Sequence, residues 1–183
     1  MEVSRDFGVV DTDAADVSAI ETVFNADFAD KSVTPGDGDD LVWSPTDSQS
    51  QLENLINGAT RTLDVENEEM GYAPIVDDLV AAAKRGVDVE VTMTNTDNDY
   101  ASEFDTLTSG GVHVATYASD ASLYIHAKVI LADGTTGFIG SENFSNASLN
   151  ENRELGLITT DSSILGSVGA TLQSDYSNAT PWS

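Results

Sequence analysis

Residues 74–93 read PIVDDLVAAAKRGVDVEVTM, and this stretch decides the fold. Residues 74–85 have the make-up of a helix, with Pro74 near the first turn, where a proline's fixed φ suits the geometry, and Gly86 just past the end. VDVEVTM then alternates as a strand does. The same alternation continues outward on both sides. Downstream, residues 99–109 read as a helix stopped by Gly110-Gly111, and VHVATYA (112–118) as a strand. Upstream, RTLDVEN (61–67) is a strand leading into the loop EEMGYAP, and LVWSP (41–45) is a short strand ending before Pro45. Between them Asp47 or Ser48 caps a helix whose Leu52, Leu55, Ile56 and Ala59 share one face. Further on, SLYIHAKVILAD (122–133) and TTGFIG (135–140) are two strands around an Asp133-Gly134 turn. RELGLIT (153–159) closes the series, followed by a helix from Asp161 that buries Ile164, Leu165 and Val168. Strands alternating with crossover helices imply an α/β architecture, a sheet layered between helices.

An internal repeat frames this unit. Residues 4–28 (SRDFGVVDTDAADVSAIETVFNADF) align without a gap to residues 152–176 (NRELGLITTDSSILGSVGATLQSDY). Arg5 matches Arg153, Asp6 matches Glu154, Gly8 matches Gly156, Asp13 matches Asp161, Asp27 matches Asp175 and Phe28 matches Tyr176. Both copies show a strand-like apolar run, an acidic helix start and a helical pattern. The simplest reading is that residues 1–30 are the closing strand and helix of a preceding repeat. Residues 31–40, KSVTPGDGDD, are then a linker and 41–183 a complete repeat unit. The plainer alternative is a strand–helix unit used twice in one domain.

Composition narrows the function classes. The 183 residues carry 7 Lys and Arg against 32 Asp and Glu, a formal charge of −25, yet 40% are hydrophobic, so the chain is globular and acidic. A basic nucleic-acid binder is excluded, and the charge repels polyanions except where a local cationic site overcomes the field. No apolar run is long enough for a transmembrane helix, and the first residues do not read as a signal peptide. The compartment stays open, an export signal on a longer, secreted parent being compatible with this reading. The absence of cysteine removes disulfides, thiolate metal sites and cysteine nucleophiles.

The segment with chemistry in it is His126-Ala-Lys128, followed by Asp133 and then Gly140-Ser141-Glu142-Asn143. On a predicted strand His126 and Lys128 project to one side, while Ala127, Val129 and Leu131 face the core. A Lys beside a His suits an anion: the ammonium is a compact charge for a phosphate oxygen. The imidazole can attack phosphorus or carry a proton near neutral pH. With three lysines in the chain, this placement is not casual.

The spacing HxKx4Dx6GSxN resembles the phospholipase D superfamily signature at every defined position, and the resemblance runs from about Leu41 to the C-terminus. It implies the phospholipase D-like layered fold, a mixed sheet flanked by helices, present as one repeat unit. It further implies a metal-independent, cofactor-free phosphodiesterase in which two motifs meet at one site. One His forms a phosphohistidine, the other protonates the leaving oxygen, and water or an alcohol completes hydrolysis or phosphatidyl transfer. By position, His126 is nucleophile or acid/base, Lys128 and Asn143 hold phosphate oxygens, and the Ser141 hydroxyl assists. Glu154 falls where the family keeps a carboxylate that orients the imidazole. Asp133, also within the signature, fits turn support and charge balance better than substrate contact.

Only one copy of the motif is present, since His113 has no Lys two residues on. The resemblance therefore implies half a site, completed by a preceding repeat or by a symmetric homodimer, as in small single-motif relatives that include a bacterial endonuclease. The expected substrate is a phospholipid headgroup ester or another phosphodiester, with nucleic acid disfavoured by charge. The alternatives are a single-motif dimeric endonuclease and a catalytically incomplete remnant. Other polar clusters have plainer readings. Glu66-Asn67-Glu68-Glu69 is a solvated run or a pocket mouth. Asp37–Asp40 and Asp97–Asp99 lack the calcium-loop pattern. Trp43 and Trp182 are packing residues.

Overall fold

The computed structural model describes residues 3–36, 38 and 40–183. Met1 and Glu2 of the N-terminal segment, and Asp37 and Asp39 of the linker and the calcium reading, lie outside the described residues. In chain order the elements are β1 (Val3–Arg5), α1 (Ala14–Phe28), β2 (Leu41–Ser44), α2 (Ser48–Gly58), β3 (Thr62–Glu66), α3 (Ala73–Lys84), β4 (Asp88–Asn95) and α4 (Ala101–Ser109). They continue with β5 (His113–Ala118), β6 (Leu123–Ile125), β7 (Val129–Ala132), β8 (Thr136–Gly140), α5 (Asn146–Asn150), β9 (Glu154–Thr159), α6 (Ser162–Asn178) and β10 (Thr180–Pro181).

Eight strands form one mixed sheet in the order β10-β5-β4-β3-β7-β8-β9-β2. β3, β4 and β5 are parallel, joined by the crossover helices α3 and α4, whereas β7, β8 and β9 form an antiparallel meander. Antiparallel neighbours need only a tight turn and parallel ones a crossover, which is why the helices cluster in the first half. The β7–β8 turn sits at Asp133-Gly134, both with positive φ (56° and 69°), and Thr135 completes the three-residue connection between the paired Ala132 and Thr136. On one face of the sheet Leu63, Val65, Val89, Val91 and Met93 meet Leu52, Ile56, Leu79 and Phe104 from α2, α3 and α4. On the other, Val129, Leu131 and Ile139 meet Leu165, Val168 and Leu172 of α6. A third cluster packs Val23 of α1 against Leu41 and Trp43 of β2.

Two expectations change. Residues 122–133 are two strands, not one: β6 pairs with β1 in a separate two-stranded sheet, while β7 joins the main sheet. His126–Lys128 is the extended link between them, and its alternation survives, with Ala127 and Val129 buried among α6 contacts. The apolar run Phe7–Val10 belongs to no strand, although its repeat counterpart in β9 is paired on both edges. Two short elements, α5 and β10, lie in stretches whose sequence carries no periodic signal of its own. Both tryptophans pack. The Trp43 indole donates to Gly36 O at 2.9 Å, and Trp182 meets the Phe104 ring edge-on at 5.2 Å.

Candidate active site

β1 runs parallel to β6, and the ladder ends where the His126 amide donates to Arg5 O at 3.1 Å. That register places the next residue, Asp6, against the imidazole, with Asp6 Oδ1 2.7 Å from His126 Nδ1. Two residues on, the Lys128 ammonium is buried (7% exposed) and donates to Glu68 Oε2 at 2.9 Å and to His126 O at 2.5 Å. Glu68 stands in the loop after β3. Buried Asn67 staples that loop to the segment after β8: its Nδ2 donates to Glu142 O, and its Oδ1 accepts from Glu69 N and Phe144 N. The Asn143 amide reaches Glu68 Oε2 at 3.5 Å, and His126 Nε2 lies 3.2 Å from the same oxygen. Asp6, Glu68, His126, Lys128, Ser141 and Asn143 thus line one cavity of about 290 Å³.

Four of the residues singled out in the sequence, His126, Lys128, Ser141 and Asn143, meet here. Glu154 lies behind them: its carboxylate accepts from the Ser141 hydroxyl at 2.6 Å and from the Ser148 hydroxyl at 3.3 Å, and it is Asp6 that holds the imidazole. Asp133 stands at the far end of β7 from Lys128. There its carboxylate accepts from the amides of Thr60, Arg61 and Thr62 and from the Thr60 hydroxyl. His113 is an exposed residue 3.6 Å from Asp88. Asp6 and Glu68 are the site residues that motif reading missed. The signal for Asp6 was present, because the repeat aligns it with Glu154. Glu68 lies in the Glu66–Glu69 run, whose alternative reading as a pocket mouth matches its place in the cavity lining.

The carboxylates divide by environment. The His126 hydrogen bond holds Asp6 below its ordinary range. Burial pulls Glu68 upward, but the Lys128 hydrogen bond and charge, with His126 and Tyr124, outweigh it and hold the group low. Glu66 and Glu142, both fully buried, go the other way. Burial and then the Asp175 charge push Glu66 up to about 8. Burial pushes Glu142 up to about 8 against the Ser141 amide that donates to it. For Glu66 the Arg5 guanidinium pulls the other way but is outweighed by burial and by Asp175, and a protonated carboxyl is the cheaper buried form.

The repeat is also a spatial exchange. Arg5 clasps Asp175 of α6 with Nε–Oδ2 at 2.5 Å and Nη2–Oδ1 at 3.0 Å. Its counterpart Arg153 clasps Asp27 of α1, the counterpart of Asp175, at 3.0 and 3.3 Å. Each Arg reaches the helix of the other copy. The matched Asp13 and Asp161 cap α1 and α6 in the same way, each accepting from the amides two and three residues on.

Comparison with known proteins bears on the family and the fold. The family described as "Cardiolipin synthase, PLD-like domain" matches residues 52–176. No curated protein matches the sequence. The fold is similar to that of Nuc, a phospholipase D family member from Salmonella typhimurium, with TM-score 0.69 and 23% identity over 78% of this chain and 95% of that one. NucT from Helicobacter pylori gives TM-score 0.66 and 18% identity over 78% and 97%. The phosphatidylserine synthase of Haemophilus influenzae Rd KW20 gives 0.61 and 12% over 78% and 39%. At these identities the likeness to the solved structures is one of fold.

Proposed function

This chain belongs to the phospholipase D-like domain family, and on that premise we propose that it cleaves or transfers phosphodiesters through a phosphohistidine intermediate, with phospholipid headgroup esters as substrates. One observation carries the reading: His126 Nε2, Lys128 Nζ and Asn143 Nδ2 converge on a single carboxylate oxygen, Glu68 Oε2, at 3.2, 2.9 and 3.5 Å. Three nitrogens aimed at one oxygen are what a phosphoryl oxygen needs.

A second imidazole attacks phosphorus, and the bond to the leaving alcohol breaks with its electron pair on oxygen. That oxygen takes the proton from His126 Nε2. Asp6 on Nδ1 fixes the orientation of the ring and turns Nε2 toward the cavity, the placement this donor role needs. Lys128 and Asn143 hold the non-bridging oxygens. Water, giving up a proton to His126, then attacks phosphorus and the phosphorus–nitrogen bond breaks. An alcohol in place of water gives transfer.

The second imidazole comes from another copy of the motif. The crossed Arg5–Asp175 and Arg153–Asp27 pairs favour a preceding repeat as its source. Asp6, from the first copy, serves the His126 of the second, so Glu154, its counterpart, stands where it would serve the imidazole of the first. A homodimer is the second reading, favoured by the 95% of the single Nuc chain that this chain spans. The net charge of −25 favours lipid esters over nucleic acid, whose binding draws on cationic neutralisation of phosphates.

The test is hydrolysis of bis-p-nitrophenyl phosphate in excess EDTA. Turnover that His126→Ala abolishes supports the proposal; turnover that survives the substitution overturns it. Phosphatidylcholine against single-stranded DNA then separates lipid from nucleic acid. Light scattering of the eluting species separates a dimer from a monomer.

A further inference from the structure

We propose that Glu68 is a charge filter on the phosphoryl cradle: it tolerates the singly charged phosphodiester and repels the doubly charged phosphomonoester, so the site discriminates against the product of hydrolysis. This rests on the cradle reading given above. Glu68 Oε2 occupies the point where the ammonium of Lys128, the imidazole of His126 and the amide of Asn143 meet. A phosphoryl oxygen that takes these donors must displace Oε2. The carboxylate cannot go far, because Oε1 accepts from the Tyr124 hydroxyl at 3.1 Å and the preceding residue, Asn67, is fully buried and bonded to the segment carrying Asn143. It therefore stays beside the bound phosphate, and because its side chain keeps 24% of its surface in solvent it is a charged carboxylate at pH 8, well above the ordinary carboxylate range.

The charges lining the cavity make this costly for a dianion. Among the described residues that line it, the basic side chains are Lys128 and His126, set against the carboxylates of Asp6 and Glu68. The nearby Arg5 is committed to Asp175. Even with His126 counted as charged, these four lining groups cancel, so a monoanionic diester already leaves one negative charge in excess. A monoester carries a second negative charge at pH 8, its second pKa lying near 6. At contact distance from a partly buried carboxylate, that extra charge weakens binding by about tenfold or more.

The probes are dimethyl phosphate, methyl phosphate and methyl sulfate, titrated calorimetrically at pH 8 in EDTA into the full chain and its Glu68→Gln and Lys128→Met variants. The filter is supported if the wild type prefers dimethyl phosphate to methyl phosphate by about tenfold and Glu68→Gln narrows the ratio to about threefold, mainly through tighter methyl phosphate. Methyl sulfate, close in shape to methyl phosphate but singly charged, should bind like the diester; this arm needs no variant. An unchanged ratio in Glu68→Gln, or methyl sulfate rejected as strongly as methyl phosphate, overturns the filter and leaves the cradle standing. A wild type that binds none of the probes, beside a Glu68→Gln that binds all of them, overturns it in favour of a plug. Lys128→Met should lose all three anions; full retention removes the cradle reading itself, and the filter with it.

Discussion

The two crossed ion pairs are equivalent by repeat and unequal by burial, which makes them a sensitive probe of how the N-terminal segment is held. The perturbation is Arg5→Met, which keeps the aliphatic stem and removes the guanidinium. Asp175 is 5% exposed and Arg5 30%, the contact is bidentate, and the neighbouring Glu66 is a second acid that Arg5 also acts on. Stripping the partner from a buried carboxylate costs about 3–5 kcal/mol, and the partial exposure of Arg5 puts the expectation at the low end, about 3 kcal/mol. In a domain of this size that is a fall in Tm of roughly 6–12 °C. Arg153→Met removes the matching guanidinium from Asp27, where the side chains are 36% and 41% exposed. Exposed pairs are worth about 0–1 kcal/mol, so its Tm should fall by a few degrees at most. The assay is thermal unfolding followed by circular dichroism at pH 7, with Arg5→Met/Asp175→Asn as the third arm. Neutralising Asp175 should recover part of the loss, because the penalty lies in the stranded charge. Equal losses from Arg5→Met and Arg153→Met, or no recovery in the double variant, would refute the reasoning.

Three further outcomes follow from the geometry. Glu66 and Glu142, at about 8 in the fold, keep protons that the unfolded chain releases near 4.5, so their contribution to stability is full below 4.5 and lost as pH rises through 8. The limiting slope is roughly 1.4 kcal/mol per pH unit for each group; Glu66→Gln should flatten the fall in Tm between pH 5.5 and 8.5. Gly156→Ala should lose about 1–3 kcal/mol in urea unfolding, because the added methyl collides with the Phe138 ring and Gly140 faces it across the β8–β9 ladder. Asp133→Ala should lower Tm and leave dimethyl phosphate affinity unchanged in calorimetry. Desolvation pushes that carboxyl up, but the amides of Thr62, Arg61 and Thr60 and the Thr60 hydroxyl outweigh it and hold it at about 2. Its stabilisation is present above the ordinary Asp range and lost as pH falls through about 2.

Much of the fold was legible because its signals are local. Gly86 and Gly110-Gly111 stop α3 and α4 where the sequence places them, and Asp133-Gly134 turns β7 into β8. The run 122–133 misled because apolar alternation reports burial on one side and says nothing of which sheet supplies the partner strand. Ile125 and Val129 are both buried, yet they belong to different sheets. Phe7–Val10 misled for a related reason: a strand needs partners, and composition cannot supply them. At the site, the motif located His126, Lys128, Ser141 and Asn143, because its spacing reflects a hairpin of fixed length returning to the same end of the sheet. Asp6 and Glu68 arrive from elements 120 and about 60 residues away along the chain. Their pairing is set by the β1–β6 register and the Asn67 staple, which no spacing rule encodes.

The central claim is that His126, Lys128 and Asn143 form a metal-free phosphoryl cradle, and the chain's two histidines make it readable by nitrogen NMR of the imidazoles. Titration with dimethyl phosphate in EDTA should shift His126 Nε2, leave His113 in place and produce no shift in Lys128→Met. Equal movement of both imidazoles, or a stationary His126 at saturating ligand, would contradict the account.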